Sequence, residues 1–216
     1  MPRERRDYRL PPITSRMDMA DGDNQWFDRL YRNARGDPTR IPWVSESACP
    51  TVSAFLADHP GPGRPAVVGC GIGDDSEAVG TAGFDTTGFD VSPEAIEWCR
   101  RRFPHSEVEY GVADLLSPPD ERHHGFDLVV EVRTVQSLSP DGRPAVLDGI
   151  VSLVAPLGRL LIDALARAES VIPYGPPWAV SERELGRLAT AGLEMESLET
   201  VSGGLGSDFV GVYRRP

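Results

Sequence analysis

Apolar and polar residues alternate along the chain with two different periods. Near the start, "NQWFDRLYRNARG" brings Trp26, Leu30 and Tyr31 onto one helical face, with Gly36 placed to close the helix. A loop with Pro38, Pro42 and Trp43 follows. "PTVSAFLADH" then predicts a second helix, Pro50 to His59, which the "PGPGRP" run breaks. Beyond it, short apolar runs alternate with helical ones. Ala66 to Gly69 predicts a buried strand, the segment after Asp74 a short helix ending near Gly80 or Gly83, and Thr87 to Val91 a second strand. "SPEAIEWCRRRF" predicts a helix capped by Ser92, with Pro93 in its first turn. "VEYGVAD" and "FDLVVEV" predict the third and fourth strands, "PAVLDGIVSLVA" a helix closed by "PLG", and "RLLIDALA" the fifth strand. Ser181 and Glu184 predict a capping box opening "SERELGRLATAG", and "EMESLETV" and "DFVGVYRR" complete seven strands.

This alternation predicts an α/β fold: a doubly wound, mostly parallel seven-stranded sheet covered on both faces, with ligands at the carboxyl ends of its strands. Residues 1–23 read as a flexible leader and residues 24–216 as one domain, in which the helical segment 24–59 precedes every strand. A chain of 216 residues supports one sizeable core.

Charge narrows the partners. A net charge of -11 repels phosphate backbones, so nucleic acid is not expected. No apolar run is long enough to span a bilayer and the first residues lack a secretory apolar core, so no membrane partner is expected. Cys49, Cys70 and Cys99 form no CxxC pair, which predicts reduced thiols in a cytoplasm and no metal site. Nothing in the sequence sets the oligomeric state.

The chemistry concentrates in "VVGCGIGD". Gly69, Gly71 and Gly73 alternate, but neither register completes the G-x-G-x-x-G dinucleotide pattern, and no Lys-Ser/Thr pair follows for a P-loop. Asp74, Asp75 and Glu77 would set like charge beside a pyrophosphate docked at the helix start. An adenosine without phosphates does not meet that repulsion, and S-adenosylmethionine (SAM) is such a ligand. Asp90 ends the second strand about twenty residues on, where a carboxylate accepts the ribose hydroxyls, and Asp114 ends the third, within reach of an adenine amino group. Each acid alone reads equally well as a surface acid at a strand end. Their order and spacing after the glycines point to SAM.

On "VVGCGIGD", "GFDVSPEAIEWC", "YGVADLL", "FDLVVEVRTVQSL" and "APLGRLLI" the chain resembles class I SAM-dependent methyltransferases, over about Gln25 to Pro216. On "WFDRLY", "IPW", "EVRTVQSLSP" and "GPPWAVSERELGRLATAGL" it is most similar to the small bacterial thiopurine and tellurite-resistance branch. The resemblance implies that Gly69, Gly71 and Gly73 face the methionine part of SAM, Asp90 the ribose, Val91 the adenine and Asp114 with Leu115 its edge. It also implies that Glu131 lines the cavity near the transferable methyl. One residue departs from the pattern: Val67 stands where the class usually carries an acid serving the SAM ammonium.

Trp26, Tyr31 and Trp43 are candidates to close over the sulfonium by cation–π contact, with ordinary core packing the alternative. Glu131, Arg133 and Tyr174, together with Gln136 and Trp178, follow strand ends where an acceptor is expected, and Glu131, Arg133 and Tyr174 are the catalytic candidates. The four histidines fall at helix or strand starts and ends that do not suit a base. The expected activity is methyl transfer to a small molecule at sulfur, oxygen or nitrogen, with segment 24–59 as a lid. The alternative is a SAM-binding sensor or partner subunit without turnover.

Overall fold

A computed structural model describes residues 25–59, 63–203 and 206–216. The leader expected at 1–23 and the first three residues of the "PGPGRP" break lie outside the described residues. Two helices open the fold: α1 (Gln25–Ala34) and α2 (Pro50–Asp58), with a short 3-10 turn at Pro38–Arg40 between them. β1 (Pro65–Val68), α3 (Asp74–Thr81), β2 (Thr87–Asp90), α4 (Pro93–Arg102) and β3 (Glu109–Val112) form the first half of the sheet. β4 (Phe126–Val132), α5 (Arg143–Leu153), β5 (Val154–Leu165), α6 (Glu182–Thr190), β6 (Glu194–Gly203) and β7 (Gly206–Arg214) form the second.

The seven strands lie in the order β3-β2-β1-β4-β5-β7-β6. All neighbouring pairs through β5 are parallel; β7 runs antiparallel between β5 and β6. The order reverses direction at β1 and β4, and a ligand crevice forms outside such a switch point.

Alternation along the strands builds the core on both faces. Ala66 and Val68 of β1 pack with Val129, Ile150 and Leu185 under α5 and α6, whereas Val67 packs with Val52, Phe55, Val79 and Val130 under α2 and α3. A third cluster joins Tyr31, Ala34 and Ile41 to Ala95 and Trp98, which seats α1 on α4. The caps form as the sequence specifies. The Ser92 hydroxyl accepts from Ala95 N at 3.1 Å, and Ser181 with Glu184 makes the reciprocal box.

Two local readings change. β5 begins at Val154 where the sequence pattern extends the preceding helix, because Ala155 precedes Pro156 and is pushed out of the α region. α1 buries Asp28, Tyr31 and Ala34 rather than a Trp26–Leu30–Tyr31 face. The buried carboxylate has a reason to be there: Asp28 Oδ1 accepts from Ser92 Oγ at 2.9 Å and Glu94 N at 3.0 Å, holding the free amides at the start of α4. Trp26 and Leu30 are thereby released to a neighbouring cavity.

Candidate active site

β1 ends in a turn that only glycine permits at its critical points. Gly69, Gly71 and Gly73 have φ of 59°, 55° and 97°. A methyl group at Gly69 would overlap the Thr134 side chain, and one at Gly73 would come within 2.7 Å of Tyr110 Oη. The glycines thus let the chain turn tightly between β1, β4 and β3 and leave its backbone facing a cavity of about 540 Å³. That volume falls within the usual range for a small-molecule site, about 300–1,000 Å³.

The acids around this loop have separate fates. Asp74 is held by Arg102, at 2.9 and 3.0 Å, so the basic end of α4 clamps the loop. Glu77 accepts from Tyr110 Oη at 2.6 Å. Asp75 accepts from Cys49 N at 2.6 Å, and burial pushes its carboxyl up to about 6. The electrostatic case against a pyrophosphate therefore rests chiefly on Asp75. Asp90 is buried, accepts from Gly71 N at 3.0 Å and Ser92 N at 2.9 Å, and is raised by burial. It braces the glycine loop and keeps lone pairs for further donors.

The structure gathers most of the expected residues on this cavity. Gly69, Gly71, Asp90, Val91, Asp114 and Leu115 line it, and so do Trp26, Tyr31 and Trp43. Gly73 turns the loop just behind the wall. The aromatics support one another: Trp43 Nε1 donates to Tyr31 Oη at 3.2 Å, and the Trp26 and Trp43 rings lie 6.0 Å apart. Arg133 and Gln136 reach the cavity from beyond β4.

Three candidates do not. Glu131 is fully buried and is not among the cavity-lining residues, because strand alternation turns it under the α5 face together with Val129. There its Oε1 accepts from Thr134 N at 2.5 Å and Val135 N at 3.0 Å, while Oε2 has no partner. Burial pushes this carboxyl up to about 8, which keeps it mainly protonated at neutral pH. Tyr174 is 92% exposed, because Pro176 and Pro177 take the cavity side of its loop. Trp178 lines no part of the cavity either; its carbonyl accepts from Arg143 at 2.7 Å.

Sequence spacing also misses a charged group beside the cavity. Arg133, at φ 61°, reaches Asp208 Oδ2 at 2.6 Å and Asp163 Oδ1 at 3.6 Å. Asp163 Oδ2 accepts from Thr51 Oγ1 at 2.6 Å, fixing the start of α2. Arg143, almost wholly buried, ties the segment after β4 to Glu184 and to the Trp178 carbonyl. The only sequence signal for these partners is a charged residue inside an apolar run, as with Asp163 in "RLLIDALA". No histidine lines the cavity among the described residues, and none of them forms a group suited to a metal ion.

Comparison with known proteins agrees with this geometry. The model of a family described as a methyltransferase domain matches residues 66–158. A structure from work on the conversion of a disulfide bond into a thioacetal group during echinomycin biosynthesis superposes with a TM-score of 0.74 at 20% identity, covering 89% of this chain and 91% of that one. The 1,6-didemethyltoxoflavin-N1-methyltransferase of Burkholderia thailandensis, solved with its substrate and S-adenosylhomocysteine, gives 0.69 at 20% identity over 95% and 92% of the two chains. TehB from Haemophilus influenzae gives 0.62 at 16% identity over 76% and 61%. Residues 66–158 thus match a methyltransferase domain, and the chain is an enzyme with the class I methyltransferase fold.

Proposed function

We propose that the enzyme transfers the methyl group of SAM to a sulfur, oxygen or nitrogen atom of a neutral or cationic small molecule. The observation that carries this reading is the lining of the cavity: the glycine-loop backbone, Asp90 and Asp114 together with the aromatic rings of Trp26, Tyr31 and Trp43. When bound, SAM supplies a methyl on a sulfonium whose departure leaves a neutral thioether. Gly69 and Gly71 give close backbone approach for its methionine part, Gly73 turns the loop behind them, Asp90 accepts from the ribose, and Val91, Asp114 and Leu115 border the adenine. Trp26 and Trp43 face the sulfonium with π electrons and exclude water.

The protein's remaining task is alignment of the acceptor. Burial raises the Tyr31 phenol and the Cys49 thiol, so both stay protonated at neutral pH and neither is a ready base. The cavity therefore suits acceptors that need little proton removal, such as thiolates, amines and acidic hydroxyls. Neighbours in the fold are named for a disulfide-to-thioacetal conversion and for an N1-methyltransferase, so sulfur and nitrogen chemistry both occur on it.

Segment 24–59 serves as the lid over this site, with α1 anchored on α4 through Asp28 and the Trp43 loop as its mobile part. Three free cysteines and an acidic surface suit a cytoplasmic enzyme without nucleic-acid partners. Among the described residues no helix is long and apolar enough to cross a membrane. A screen of small thiols, amines and phenols with methyl-labelled SAM tests the reading. It predicts label transfer to at least one class, lost when Asp90 is changed to Ala. SAM binding with no transfer to any acceptor would favour a sensor or partner subunit instead.

A further inference from the structure

SAM carries an ammonium on its methionine end, and a cation entering a largely apolar cavity needs an anion. This inference rests on the SAM reading above. The end of β1 offers no anion, since Ala66, Val67 and Val68 are all apolar and buried. Glu131 lies outside the cavity, under the α5 face. Asp74 is already neutralised by Arg102, and Asp90 has an amide on each oxygen. Asp114 stands at the end of β3, where its Oδ1 accepts from Leu116 N at 2.9 Å, and is assigned to the adenine edge.

Asp75 differs from all of these. It lines the cavity two residues beyond Gly73, and among the described residues it belongs to no ion pair. Among the described residues its one hydrogen bond is the Cys49 amide on Oδ1, which leaves Oδ2 for another donor. The charges facing it are acidic: Asp74 beside it on α3 and Asp163 across from β5 both raise its carboxyl further, on top of burial. A carboxylate in that setting gains from an incoming cation.

We propose that Asp75 anchors the ammonium of SAM, setting the methionine end against the glycine loop. The anchor comes from the first turn of α3 rather than from the end of β1. The Cys49 amide fixes the carboxylate rotamer and couples it to the start of α2, so cofactor binding and the seating of α2 share one residue.

Calorimetric titration of the wild type, D75N and D75E with SAM, S-adenosylhomocysteine and 5′-methylthioadenosine tests this. Asparagine keeps the oxygen that Cys49 N needs, and methylthioadenosine lacks the ammonium. D75N should bind SAM and S-adenosylhomocysteine about tenfold or more weakly while holding methylthioadenosine within about twofold of wild type. D75E, which keeps the charge, should bind S-adenosylhomocysteine more tightly than D75N does. Unchanged S-adenosylhomocysteine affinity in D75N would overturn the proposal, as would an equal loss for methylthioadenosine, which would make Asp75 a support for the cavity shape. Wild type that binds none of the three would remove the SAM reading itself.

Discussion

The two halves of the sheet treat their strand-end acids differently. On the β1–β2–β3 side, Asp74 has a bidentate arginine and Asp90 has two backbone amides. On the β4–β5–β7 side, Asp163 and Asp208 share Arg133, Glu131 has no ion pair, and each of the three leaves one buried carboxylate oxygen without a hydrogen bond. Asp74 and Asp90 are thus held before any ligand arrives, which is what a preorganised cofactor site requires. Among the described residues Asp75 alone is left for the proposed cation. The second half keeps buried carboxyl oxygens without donors, at a desolvation cost, on the side where the sequence places the acceptor.

The sharpest break of this contrast is a methyl group in the first half. Gly73→Ala places Cβ against Tyr110 at φ 97°, and should destabilise the fold by about 3–5 kcal/mol, from left-handed backbone strain together with overpacking. Urea unfolding measures it, and a loss below about 1 kcal/mol would mean the loop relaxes freely.

In the other half, the next effect has the opposite sign. Glu131 stands at about 8 when folded, against 4.5 for its free side chain, so the folded state holds its proton more tightly. Its stabilising contribution is complete below about pH 4.5 and is lost as pH rises through about 8. Glu131→Gln keeps the acceptor for the Thr134 and Val135 amides without ever ionising. Above pH 8 it should be more stable than wild type by roughly 2–4 kcal/mol, with the gap closing toward pH 5. Parallel stability curves for the two proteins would show that Glu131 ionises freely.

The smallest effect sharpens the aromatic wall. Trp43→Ala should weaken SAM more than the less positive S-adenosylhomocysteine, by about 0.5–2 kcal/mol. Equal losses would assign Trp43 to packing alone, consistent with its place among the Trp26, Phe27 and Tyr31 rings.

The same division explains what the sequence reveals. The cofactor half depends on backbone conformation, and three alternating glycines followed by acids at two strand ends display that need within fifty residues of chain. The helix caps at Ser92 and Ser181 are equally local. The acceptor half depends on pairings across the chain, such as Arg133 with Asp208 and Thr51 with Asp163. No short pattern encodes them, because the antiparallel β5–β7 register must form before these residues meet. Glu131 misleads for a related reason: its place at a strand end is legible, but the turn after β4 that claims its carboxylate is not. Tyr174 fails likewise, since nothing local says that Pro176 and Pro177 take the inner side of the loop.

The most direct measurement is calorimetry of S-adenosylhomocysteine and NAD against the wild type and Asp90→Ala. Saturable one-to-one binding of S-adenosylhomocysteine is expected, weakened by about 2 kcal/mol in Asp90→Ala, with no saturable binding of NAD. Tight NAD binding, or a folded Asp90→Ala that holds S-adenosylhomocysteine as well as wild type does, would contradict the assignment of this cavity to SAM.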